Sequence, residues 1–260
     1  MLRMVRLISY NIEYETGNTG HLYEYLKLWR YLLTPHFMDE KIADFLKQEK
    51  PDIVALMEVD LGSIRTRFSN KAEFFKEYLN FTSCASATKY PTWSWAKIFA
   101  RMPIFRRQGN AIIYKKKFED VKYHWLHEGA KRLLIQTDIM QGSRIITLFL
   151  AHLALGKKTR AKQIEEIAAL VKEIKTPIIL MGDFNTVKGD KELSLFLKKT
   201  KLHKTYRIHK VSDCNTYPSF CPRKHFDYFF VSNSINVKDF KTLDCKYSDH
   251  LPIMLDFNLK

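Results

Sequence analysis

The sequence predicts an α/β protein with mixed sheets, and two observations carry that prediction. Short apolar, β-rich runs recur along all 260 residues, some following one another directly. Between others lie amphipathic stripes with helical spacing.

Taken in order, the strand runs are Val5–Tyr10, Ile53–Met57, Ala111–Tyr114, Leu133–Ile139, Ile145–Ala151, Ile178–Met181, Phe226–Val231 and Ile253–Phe257. Leu22, Tyr25, Leu26, Trp29, Leu32 and Leu33 share one face of a first helix. Ile42, Phe45 and Leu46 mark a second, and Phe74, Phe75, Tyr78 and Leu79 a third. Ile164, Ile167, Ala168, Val171 and Ile174 form the clearest stripe, with Lys and Glu opposite, and Pro177 ends it.

Composition bounds the rest. Hydrophobic residues at 46% and charged residues at 27% are ordinary for a folded chain, and 9 Gly with 8 Pro leave no room for a collagen-like chain or a long linker. One domain over residues 1–260 is expected. Forty-three Lys and Arg against 28 Asp and Glu give a net charge of +15. That field suits nucleic acid, an anionic membrane surface or a phosphorylated small molecule, without choosing among them. Simple solubility is the competing explanation. Cys84, Cys214, Cys221 and Cys245 include no CxxC pair, so no zinc ribbon or thioredoxin motif is expected. Cys214 and Cys221 are close enough in sequence to approach across a loop, but free thiols are expected. No export signal or membrane-length apolar run is found, so a soluble, cytoplasmic protein is expected; no obligate protein partner is implied, and a monomer is expected.

Polar residues that need explaining sit at strand ends. Asn11 follows the first strand, Glu58 the second and His152 the fifth, and Gly182-Asp183-Phe184-Asn185 follows the sixth. Asp227 opens another strand, and Ser248-Asp249-His250 precedes the last. Each alone is most simply a cap, a turn former or a satisfied core residue. Together they supply hard oxygen donors for a divalent cation and imidazoles for proton transfer, with too few soft ligands for zinc. Magnesium fits such a set, since it takes one or two carboxylates and keeps water and substrate phosphate as its other ligands.

With these segments in this order, the chain resembles the endonuclease/exonuclease/phosphatase superfamily from Ser9 to Pro252. Gly-Asp-Phe-Asn at Asp183 and Ser-Asp-His at Asp249 are specific as a pair. The resemblance implies a four-layer α/β/β/α sandwich of two packed mixed sheets with the site at one edge. It implies Glu58 as principal metal ligand with Asn11 beside it, and Asp249 as second carboxylate near Mg2+, for which Mn2+ can substitute. It implies Asp183 and Asn185 as the pair that activates water and holds phosphate. His250 then contacts the phosphoryl oxygens, Asp227 fixes its ring, and His152 is the extra histidine of the deoxyribonuclease, sphingomyelinase and inositol phosphatase branches. Asp183 is the expected base, a histidine the alternative. Gly109 and Asn110 fall at a Gly-rich strand start and are expected to be structural.

Substrate is less constrained. Ala151-His152-Leu153 departs from the Tyr- and Pro-containing strand end of AP endonucleases, which disfavours that branch. Lys89–Arg107 interleaves basic residues with Trp93, Trp95 and Phe99. Such a segment stacks bases and holds backbone phosphates, lies in a membrane interface, or simply packs. The helix near Leu22–Leu33 is a second peculiar segment. Arg65 and Arg67 bind a second phosphate or face solvent. The favoured expectation is a magnesium-dependent phosphodiesterase acting on DNA, as endonuclease or end-processing repair enzyme. The alternative is a phospholipid, sphingomyelin or inositol-phosphate hydrolase on the same scaffold. A non-enzymatic polyanion-binding module ranks last, because no position of the set is missing.

Overall fold

The computed structural model describes residues 3–26, 35, 37–89, 107–208 and 214–260. Its strands form two six-stranded mixed sheets. One runs β11 (Ile235–Thr242), β12 (Ile253–Leu259), β1 (Val5–Asn11), β2 (Ile53–Asp60), β4 (Gln108–Tyr114), β3 (Ser83–Thr88). The other runs β5 (Asp120–Trp125), β6 (Leu133–Gln141), β7 (Arg144–His152), β8 (Ile178–Asp183), β10 (Asp227–Val231), β9 (His203–Lys204). Helices α1 (Met38–Glu49) and α2 (Lys71–Tyr78) cover the outer face of the first sheet. Helices α3 (Lys157–Glu173) and α4 (Asp190–Thr200) cover that of the second. A short helix α5 (Thr205–Ile208) follows β9.

Three apolar clusters separate these four layers. The central one joins the inner faces of both sheets, with Met57, Ile112, Leu148, Met181, Phe229 and Leu255 among its members. β4, β8 and β10 are therefore buried at every position. Strands covered on both faces read as continuous apolar runs rather than alternating ones, which is why sequence pattern found them.

The elements that pattern missed lie where coverage is one-sided. β3 is Ser-Cys-Ala-Ser-Ala-Thr, β5 is partly exposed along its length, and β11 carries a bulge between Val237 and Asp239. α4 was also missed; its Leu193 and Phe196 are buried against the second sheet. The first predicted helix is corrected in its described part. Leu22–Leu26 is a 3-10 turn, and residues 27–34 lie outside the described residues. No described helix is long and apolar enough to cross a membrane.

Topology brings the chemistry to one edge. β1 pairs parallel with β2, and β7 parallel with β8; Asn11, His152 and Asp183 end their strands at one edge, and Glu58 lies there two residues before the end of β2. β10 is antiparallel to β8 and starts there, with Asp227 in register with Asp183. Ser248 Oγ donates to the Asn11 carbonyl (2.7 Å), which fastens the Ser248–His250 loop to the same edge.

Candidate active site

Glu58 reaches the site through a distortion of its strand. Met57 pairs with Asn110 and Val59 with Gly109, leaving Glu58 as the extra residue of a bulge, with φ of 55°. The Glu58 N–H, freed from the ladder, donates to Asn110 Oδ1 at 3.3 Å. Gly109 is required by space, since a Cβ there would lie 2.3 Å from the Ala87 carbonyl oxygen. Both residues thus have the structural role expected of them.

Two lysines face the Glu58 carboxylate. Lys131 Nζ lies 3.2 Å and Lys89 Nζ 3.9 Å from Oε1. Burial disfavours the charged carboxylate, but these two cations outweigh it and hold Glu58 well below the usual carboxylate range. Sequence reasoning missed Lys131, and it placed Lys89 only within a longer basic segment. A lysine beside Arg132 in so basic a chain carries no distinguishing signal.

Asp183 sits at the centre. Its Oδ1 accepts the Asn185 backbone N–H (2.8 Å), and its Oδ2 accepts the side-chain amides of Asn185 (3.2 Å) and Asn11 (3.3 Å). Asn185 adopts φ of 49° and also donates to the Leu153 carbonyl (3.0 Å), which aims its amide back at Asp183. Burial raises the Asp183 pKa to about 7, with Asp227 adding to the rise and His250 opposing it.

Two imidazoles flank that carboxylate in opposite charge states. His152 Nε2 lies 3.4 Å from Asp183 Oδ2 and 3.6 Å from Glu58 Oε1, and it is bonded to Lys131 Nζ. Burial, reinforced by the Lys131 charge, holds His152 well below the ordinary imidazole value, so its ring is neutral. His250 differs. Its Nδ1 donates to Asp227 Oδ2 (2.8 Å), while Nε2 stands 3.8 Å from Asp183 Oδ2. Burial opposes charge on His250 too, but Asp227 and Asp183 outweigh it and lift the pKa to about 10. Thr216 Oγ1 donates to the same Asp227 oxygen (2.5 Å), a support that no sequence motif signalled.

Asp249 is buried beside His250, and Ser248 Oγ lies 3.4 Å from its Oδ1. Among the described residues, no three His, Cys, Asp or Glu side chains converge as a set of metal ligands. The donor chemistry nevertheless fits a hard divalent cation. Glu58 is ionised, Asn11 and Asp249 add oxygen donors on the same edge, and magnesium needs only one or two carboxylates.

The two arginines part company. Arg65 is only 3% exposed; its guanidinium donates to the Tyr14 carbonyl, and Nε lies 3.7 Å from Asp60 Oδ2. Arg67 is exposed. Trp93 and Trp95 lie outside the described residues.

The model of the Endonuclease/Exonuclease/phosphatase family matches residues 8–250. No curated protein matches the chain. Among solved structures, an endonuclease/exonuclease/phosphatase family protein from Bacteroides thetaiotaomicron superposes with a TM-score of 0.74 at 17% identity, covering 100% of this chain and 99% of that one. D. rerio TDP2 humanized by 14 mutations gives 0.70 at 17% identity, with 98% and 99% covered. The mannosyl-6-phosphatase of Bacteroides thetaiotaomicron VPI-5482 gives 0.71 at 17% identity, with 98% and 100% covered. At such identities the likeness is one of fold, and it matches the two-sheet sandwich described above.

Proposed function

The chain belongs to the Endonuclease/Exonuclease/phosphatase family, and on that premise we propose that it is a magnesium-dependent phosphodiesterase acting on DNA. One observation carries the reading. A buried carboxylate with a pKa of about 7 lies between a neutral and a charged imidazole, one side chain away from the ionised Glu58. A base titrating near neutrality and a donor that is still charged there are what hydrolysis of a phosphate ester needs. The net charge of +15 supports a polyanionic substrate, and the relatives include TDP2 as well as a sugar phosphatase.

In this reading Asp183 Oδ2 takes the proton of the attacking water. Asn11 and Asn185 hold that oxygen in place through their amides. His250 presents its Nε2–H to a phosphoryl oxygen, and Asp227 with Thr216 keeps the ring turned that way. His152 offers an uncharged nitrogen between Glu58 and Asp183, and Lys131 adds positive charge where the phosphate enters. Glu58, with Asn11 and Asp249, would hold a divalent cation, which would neutralise negative charge on the phosphoryl oxygens and on the leaving oxygen.

The substrate test is a three-way assay with magnesium and with chelator. Supercoiled plasmid, a 5′-blocked single-stranded oligonucleotide and sphingomyelin liposomes are incubated with the full chain. Chelator-sensitive cutting of either DNA is the expected result. Headgroup release from liposomes with both DNAs intact replaces DNA by a phospholipid as substrate.

A further inference from the structure

Phe220, His21 and Tyr23 form a stack of three rings in water. The His21 ring centroid lies 3.7 Å from that of Phe220, with the planes 21° apart, and 5.3 Å from that of Tyr23 at 29°. Tyr23 is 57% exposed and Phe220 38%. Both outer rings therefore forgo the burial that usually draws such side chains inward.

Hydrogen bonds fix the two loops that carry His21 and Phe220. The Thr19 carbonyl accepts the Phe220 N–H (3.2 Å). Glu24 Oε2 accepts the Thr19 N–H (2.7 Å), Thr19 Oγ1 (3.0 Å) and the His21 N–H (3.3 Å). Gly20, at φ of +94°, lets the two loops touch, since a Cβ there would lie 2.4 Å from Pro218 Cβ.

The same loops are tied to the catalytic edge. The Ser219 N–H donates to the Asp249 carbonyl (2.8 Å) and Ser219 Oγ to the Ser248 carbonyl (2.5 Å). The Tyr217 ring centroid stands 5.1 Å from that of His250. Exposed Lys224 belongs to this loop, its Nζ 5.7 Å from the Tyr217 ring centroid.

We propose that Phe220, His21 and Tyr23 form a subsite that stacks an unpaired nucleobase beside the scissile phosphate. The inference rests on the phosphodiesterase reading and adds that the substrate presents a single-stranded or frayed base there. A preformed stack with exposed outer rings gains favourable contact by adding one more π-face, and any base provides one. Lys224 supplies charge for the adjoining phosphate, which favours a nucleotide over an uncharged aromatic ligand. A base in the interior of a duplex is excluded, because both its faces are already covered by its neighbours.

The test measures binding of 5′-labelled hexathymidylate, and of the same hexamer built from abasic residues, by fluorescence anisotropy in chelator. Wild type is expected to bind the thymidylate about tenfold more tightly, within the range of a single stacked base. In Tyr23→Ala and Phe220→Ala that ratio falls toward one, whereas Tyr23→Phe retains it. Both replaced rings are exposed, so the fold is kept. An unchanged ratio in both alanine variants, or no preference in wild type, overturns the subsite. Cleavage with magnesium keeps the two claims apart. Wild type that cuts the abasic hexamer without base preference loses the subsite and keeps the phosphodiesterase. Wild type that cuts supercoiled plasmid but neither hexamer loses the subsite, and wild type that cuts none of the three loses the nuclease reading and the subsite with it.

Discussion

Asp183→Asn lowers kcat by about three orders of magnitude, the scale of a lost general base. The substitution keeps size and polarity, and the Asn185 N–H still finds a carbonyl oxygen at the position of Oδ1. What disappears is the proton acceptor at Oδ2, where an amide nitrogen would face the donating amides of Asn11 and Asn185. The wild-type rate also has a predictable pH dependence. Asp183 must be deprotonated to accept a proton, so activity rises as pH passes through about 7. His250 must be protonated to donate, so activity falls only as pH passes about 10. Steady-state rates from pH 5.5 to 10.5 check both limbs. Residual activity of the variant within tenfold of wild type removes Asp183 from the role of base.

Glu15→Gln raises the free energy of unfolding by roughly 2–4 kcal/mol at pH 7.5 and by roughly 1 kcal/mol at pH 5.5. Glu13, Tyr14 and Glu15 form a left-handed turn, with φ of 43°, 53° and 56°, and it turns the Glu15 side chain into the protein. Glu15 is fully buried, and neither carboxylate oxygen has a hydrogen-bond partner among the described residues. Burial raises its pKa from the ordinary 4.5 to about 8, with Arg65 pulling the other way. The native state therefore binds a proton that the unfolded chain releases between those two values. The neutral carboxyl is accommodated in full below pH 4.5, and stability is lost as pH rises through about 8. A neutral amide removes that slope. Urea unfolding at the two pH values reads it directly, and equal stability of wild type and variant at pH 7.5 sinks the argument.

Much of the candidate site was legible because strand ends are visible in sequence. Asn11, His152 and Asp183 each terminate an apolar run, and a parallel pair of strands must bring such ends to one side. A raised pKa was expected for His250 from its partner Asp227, but the neutral state of His152 was not legible. The opposite behaviour of His152 and His250 comes from Lys131 beside one ring and Asp227 beside the other. Lys131 lies 21 residues before His152 in a stretch with no motif. Nor does the bulge at Glu58 show in sequence, where the apolar run ends at Met57 although the strand continues past the bulge to Asp60. Edge strands escaped for a related reason. Once one face meets solvent, as along β5, polar residues replace the apolar run and the β signal fades. Arg65 shows the same limit, because nothing local tells a buried guanidinium serving Tyr14 and Asp60 from one that meets a phosphate.

The central claim is that water, activated at Asp183, attacks phosphorus. Cleavage of hexathymidylate by the wild-type protein with magnesium in 18O-labelled water, followed by mass spectrometry of the products, tests it most directly. The account predicts one labelled oxygen on the product phosphoryl group and none on the sugar hydroxyl released. Label on the sugar oxygen, or no chelator-sensitive cleavage at all, contradicts it.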